Sequence, residues 1–184
     1  MMKSLAILIF TAMLLSCSSW STCFASEKTY VLFIAPSKFT TQEFLEIATK
    51  NFSDNYIISK KLQDYWTQYC WNMNLEENDQ KTNKEILSDF ISKSNLDKIV
   101  FVIFKDAKLD VIDQGGVFVY GMYIKSHIGR SHIQSRVIVM NHEGETLKIF
   151  EEESENISGY NERRANRGAF RILCKNISKR LNLK

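Results

Sequence analysis

Six consecutive apolar, β-prone residues, Ile99-Val-Phe-Val-Ile-Phe104, constrain this chain more than any other stretch. Strand side chains alternate between two faces, so a run without a polar residue must be covered on both. The rest of the chain has to supply that cover.

Upstream, Tyr30 to Ala35 is a second apolar strand, stopped by Pro36. Thr40-x-x-Glu43 is a capping box, and Phe44, Ile47, Ala48 and Phe52 follow at helical spacing, which predicts a helix from about Thr41 to Asn51. Tyr56 to Ile58 is a short strand. From Lys60 to Met73 the residues Leu62, Tyr65, Trp66, Tyr69, Cys70 and Met73 share one helix face. A polar loop covers Glu76 to Lys81, and Thr82-x-x-Glu85 opens a helix with Ile86, Leu87, Phe90 and Ile91 inward.

Downstream, Ala107 to Asp113 alternates as a half-exposed strand does, Gln114-Gly-Gly116 reads as a turn, and Val117 to Ser126 as the next strand. Ile128-Gly-Arg130 reads as another turn, His132 to Met140 as a strand, and Asn141-His-Glu-Gly144 as a hairpin turn leading into Thr146 to Glu151. A helix from about Tyr160 to Leu181 turns Ala169, Phe170, Leu173, Cys174, Ile177 and Leu181 inward. The expected fold is α/β (α+β): a mixed sheet built as β-α-β-α-α-β, then an antiparallel meander and a C-terminal helix, in a layered sandwich.

Lys3, the apolar run from Leu5 to Leu15 and the small residues that follow have the layout of an export signal, giving a signal peptide over 1–25 and one exported domain over 26–184. The apolar run is well below the ~20 residues that span a bilayer. Two readings of its end stay open. Cys23-Phe-Ala25 before Ser26 suits a signal peptidase, whereas Leu14-Leu-Ser-Cys17 resembles a bacterial lipobox that would place a lipid on Cys17. Cleavage after Ala25 leaves Cys70 and Cys174, either a disulfide in an oxidising compartment or two buried thiols on separate helices.

The order of these elements, with Arg136-Val-Ile-Val-Met-Asn-His-Glu-Gly-Glu145 in the meander, resembles the periplasmic domain shared by the curli-secretion lipoprotein, the penicillin-binding-protein activator lipoproteins and the N-terminal domain of the Tol-Pal translocation protein. Those families have an acidic residue at the strand end and then Thr-Gly-Glu. Here Asn141-His-Glu-Gly144-Glu145 stands in that place without the Asp and Thr. By analogy the resemblance implies an envelope accessory role.

No stretch carries a catalytic or cofactor signature, and no cofactor is expected. Cys70 and Cys174 fall on core faces, where thiols are inert. Gln114-Gly-Gly116 precedes a strand, whereas phosphate loops precede a helix. His127, His132 and His142 are the alternative to a pure binding role: His127 and His132 facing each other across the 128–131 connection, with Glu143 near His142, would give an exported metal-binding protein or enzyme, although the spacing matches no metal motif.

With 24 basic and 21 acidic residues the net charge is +3, too balanced for general nucleic-acid binding. The partner expected is therefore an envelope protein or other envelope component, with membrane contact only through a lipid on Cys17. Its candidate contacts are Trp71, Tyr120 and Tyr123, and the basic stripe with Arg164, Arg167 and Arg171 that continues to Lys175 and Lys179. Trp71 shares its rotation about the helix with Gln63 and Thr67, on the polar side, unless the 74–81 loop folds over it. The stripe meets anionic headgroups or an acidic partner, or else it is a solvated face neutralised by Glu151, Glu152, Glu153 and Glu155.

Overall fold

The computed structural model describes residues 29–72, 84–159 and 161–183, without the side chains of 113, 114, 117, 119 and 123–127. The export signal with Cys17, the 76–81 loop, Thr82 and the side chains of Tyr123 and His127 lie outside the described residues. Within them are five strands, β1 (Thr29–Ile34), β2 (Tyr56–Ile58), β3 (Lys98–Val119), β4 (Met122–Asn141) and β5 (Thr146–Ser158). The four helices are α1 (Gln42–Thr49), α2 (Lys60–Asn72), α3 (Lys84–Ser94) and α4 (Glu162–Asn182). The fold is a mixed α/β sandwich on one sheet of order β2-β1-β3-β4-β5, parallel from β2 to β3 and antiparallel beyond.

Handedness decides where the helices go. Crossovers between parallel strands are right-handed. The chain moves from β1 outward to β2 and then back past β1 to β3, so α1 and the α2–α3 pair must cover opposite faces. The final helix, α4, joins α1. On that face Phe33, Val100, Val102 and Phe104 pack under Phe39, Phe44 and Phe170. The Phe170 ring lies 5.3 Å from Phe33 and 5.1 Å from Phe44. On the other face Ile99, Phe101 and Ile103 pack under Trp66, Phe90 and Ile91, with Trp66 edge-on to Phe90 at 4.9 Å.

Three readings from the sequence are corrected. Thr40 does not cap α1: its hydroxyl donates to the Ser37 carbonyl, and Thr41 precedes the helix without a side-chain cap. Gln114-Gly-Gly116 and Ile128-Gly-Arg130 are not turns, and β3 and β4 run through them. Between the pairs Asp113–His127 and Gly116–Lys125 two residues of β3 oppose one of β4, a bulge that Gly115 accommodates at φ +78°. Gly129 pairs with both Val111 and Ser158. A Cβ there would stand 3.2 Å from the Glu162 Cα, so this glycine lets the first turn of α4 sit against the sheet.

Strand β5 also runs on to Ser158, beyond the predicted end at Glu151. Glu and Asn are poor strand formers. Here their cross-strand partners outweigh that preference, as Arg130 binds Glu155 through two hydrogen bonds of 2.8 and 3.0 Å.

Gln63, predicted on the polar side of its helix, is 6% exposed. Strand β2 ends opposite Val31, leaving the backbone of Phe33 without a strand partner on that side. The Gln63 amide takes that place, accepting from the Phe33 N–H at 3.2 Å and donating to its carbonyl at 2.7 Å. Replacing Gln63 by Leu should lower the unfolding free energy by about 2–3 kcal/mol in urea titrations, because two buried backbone groups lose their partner. A loss below about 0.5 kcal/mol would mean that water reaches Phe33.

Candidate functional site

The ladder between β3 and β4 continues after its neighbours stop. Pairing with β1 ends at Ile103, and β5 ends opposite Gly129, which itself faces Val111. From Ile112 to Val119 the sheet is therefore a two-stranded ribbon, roughly 27 Å long at 3.4 Å per residue. Its tip is the pair Tyr120-Gly121 at φ +50° and +78°, between the partners Val119 and Met122. Two consecutive positive φ values define a type I′ hairpin turn. Tyrosine is a poor residue for that conformation, which is why the turn was not legible in the sequence.

The ribbon carries three large apolar side chains that are well exposed. Tyr120 is 99% exposed, Phe118 73% and Met122 66%. No charged residue occurs between Asp113 and Lys125. Tyr123 lies opposite Phe118 in the ladder. A two-stranded ribbon has too little area of its own to bury these groups, and its strand edges remain open for pairing.

Trp71 is 82% exposed but does not join this surface. Gln63 touches Phe33, and one helical turn later Trp66 packs against Phe101, one register step nearer the start of the sheet. Helix α2 thus runs away from the hairpin, carrying Trp71 to the far end. Trp71 and Tyr120 thus do not share one recognition surface, since roughly 60 Å of strand separates residue 102 from residue 120.

The facing pair of histidines is likewise not formed. His127 and His132 lie on one continuous strand, their positions about 17 Å apart. His132 Nε2 is 3.7 Å from Glu153, and the exposed His142 is 3.7 Å from Glu143. Among the described residues no three His, Cys, Asp or Glu side chains are grouped to hold a metal ion.

Cys70 and Cys174 form no disulfide. They sit in the two core clusters on opposite faces of the sheet, α2 on one side and α4 on the other. A bridge needs Cα atoms within about 7 Å, whereas the whole sheet lies between these. Burial pushes the Cys174 thiol far above the ordinary range.

The basic stripe of α4 is anchored at its start. Asn161 caps the helix, its side chain accepting from the Arg164 N–H at 2.8 Å. Glu43 of α1 takes both Arg163 and, at 2.9 Å, Arg167. Hydrogen bonding from Arg163, with Arg167 adding its charge, holds the Glu43 carboxyl below the usual carboxylate range. Arg164 and Arg171 are exposed. No helix among the described residues is long and apolar enough to cross a membrane.

No protein-family model matches the chain, and no curated protein matches it. Among solved structures it is similar to the lipoprotein GNA1162 from Neisseria meningitidis, at 9% identity and a TM-score of 0.39, over 85% of this chain and 99% of that one. It is also similar to a minor lipoprotein from Acinetobacter baumannii, at 11% identity and a TM-score of 0.30, over 84% and 89%. Likeness at that level supports no conclusion about activity.

Two measurements follow from this geometry. In the native protein Cys70 and Cys174 should resist a thiol reagent, and both should react on unfolding without reductant; a requirement for reductant would mean that they are bridged. Glu43 titrates lower folded than unfolded, so its contribution to stability is present above the unfolded carboxylate pKa and disappears as pH falls through the folded one. Melting temperatures of Glu43→Gln should therefore decline less steeply than wild type between about pH 5 and pH 3. Identical slopes would show that the ion pair does not distinguish the two states.

Proposed function

We propose that this protein is an exported, non-enzymatic accessory component of a bacterial cell envelope that binds another envelope component through the tip of its β3–β4 hairpin. The observation that carries the reading is the exposure of Tyr120 and Met122 at the end of a projecting ribbon. Exposed aromatic and Met side chains on a rigid support are the residue types that anchor interfaces. The open edges of the ribbon add a second mode, strand addition by a partner segment. The N-terminal pattern of Lys3, Leu5 to Leu15 and the following small residues supports export.

A photoreactive side chain at position 120, introduced in the expressing cell, should give an adduct of discrete mass. The same group at Leu147, 52% exposed on the body of the sheet, should give none. Tyr120→Asn with Met122→Ser should weaken capture about 100-fold, each anchor contributing at least about tenfold. Asn tolerates the left-handed backbone at position 120, so the hairpin itself should persist. Equal adducts from both positions, or capture unchanged in the double variant, would remove the hairpin from this role.

A further inference from the structure

The acids that the sequence sets against the basic stripe of α4 are engaged elsewhere. Glu151 pairs with Lys105, Glu155 with Arg130, and Glu153 lies nearest His132. Of their carboxylates only that of Glu152 reaches α4, pairing with Arg180 at 3.1 Å and accepting from the Asn176 amide at 3.1 Å. On α1, Glu43 is held by Arg163 and Arg167, and Glu46 accepts a hydrogen bond from Gln42 at 3.2 Å. Between these two tethered ends Arg171, Lys175 and Lys179 are exposed, one per turn, and none makes an ion pair with a described residue.

We infer that this face of α4 docks on the surface of an anionic lipid bilayer. The apolar side of the helix, with Phe170, Leu173 and Ile177 all fully buried, is committed to the core, so the helix cannot insert and the contact is electrostatic. Arg171 to Lys179 spans about 12 Å of straight helix. Such a convex row presents its charges to a plane; it offers no aromatic-lined groove of the kind that holds single-stranded nucleic acid.

A second observation bears on which pole of the molecule would lie near the bilayer. Thr29, where the described chain begins, lines one cavity with Leu181 and Leu183 at the end of α4. The segment leading back to the export signal therefore emerges beside the C-terminal end of the stripe. Residues 18–28 reach at most about 40 Å, so on the lipobox reading a lipid on Cys17 would keep this end of α4 within that distance of the membrane. The inference stands apart from the hairpin proposal.

Flotation of the purified exported protein with vesicles of phosphatidylcholine, with and without an equal part of phosphatidylglycerol, tests it. Binding should require phosphatidylglycerol and vanish at about 0.5 M salt, where screening is nearly complete. Each neutralised side chain should weaken binding about fivefold, so Arg171→Gln with Lys175→Gln should lose about 25-fold, while Arg171→Lys should bind as wild type. Both positions are exposed, so melting temperatures should not change. An acyl chain on Cys17 would strengthen binding to both compositions alike and leave the difference between them intact. Equal binding to the two compositions, equal binding by wild type and the double variant, or binding to soluble polyphosphate without binding to vesicles would each overturn the assignment.

Discussion

A strand that is apolar on both faces must be covered twice, and the remainder of this structure follows from that requirement at Ile99–Phe104. Residues 99 to 102 are completely buried, and the 0% exposure of Phe170 on one side and Phe90 on the other shows how fully each layer closes over them. Each large side chain moved out of water there contributes about 1.5–3 kcal/mol. The order β2-β1-β3 and the right-handed rule then leave one arrangement of α1, α2 and α3.

Along β3 the cover gives way by steps, and the chemistry of the strand changes with it. Up to Ile103 both faces are packed by helices. Past the bulge at Lys105, α4 still covers Ala107 and Ile133, while the opposite face is closed by cross-strand ion pairs such as Arg130–Glu155. Small residues permit the close seating of α4: Gly129 lies under Glu162, and a Cβ on Gly168 would overlap the Asn156 side chain. Beyond Gly129 neither cover remains, and there Phe118, Tyr120 and Met122 reach solvent. A ribbon so composed gains by meeting a partner, which is the physical basis for the binding role proposed for it.

Charge is distributed with the same division between internal and outward use. Glu43 ties α1 to the first turns of α4, Glu152 and Arg180 tie β5 to its last turns, and Asp89 accepts hydrogen bonds from Tyr69 at 2.6 Å and Lys93 at 2.7 Å. In the middle of α4, Arg171, Lys175 and Lys179 make no ion pair with a described residue. In the roles proposed, the hairpin is the apolar contact surface and α4 the cationic one. They occupy different parts of the molecule, so one protein can lie against a membrane surface and still hold a partner at the hairpin.

The sequence by itself determined the elements whose signal is local: the two apolar strands, the helix stripes of α1, α2 and α4, and the Asn141–Gly144 turn, where Gly144 takes φ +75° and the Asn141 side chain accepts from the Glu145 N–H. Periodicity reports which residues need burial, and that need does not depend on what provides it. The tertiary structure alone decided the meaning of the glycines at 115 and 129, since a glycine permits a turn, a bulge or a close approach equally well. It also decided that Gln63 is buried, because its partner is the backbone of Phe33, thirty residues away. The single long hairpin, the separation of Trp71 from Tyr120, the parting of Cys70 from Cys174 and the uncompensated cations of α4 all depend on which strands pair and which acids find other bases. Those are contacts between distant segments, and no spacing along the chain encodes them.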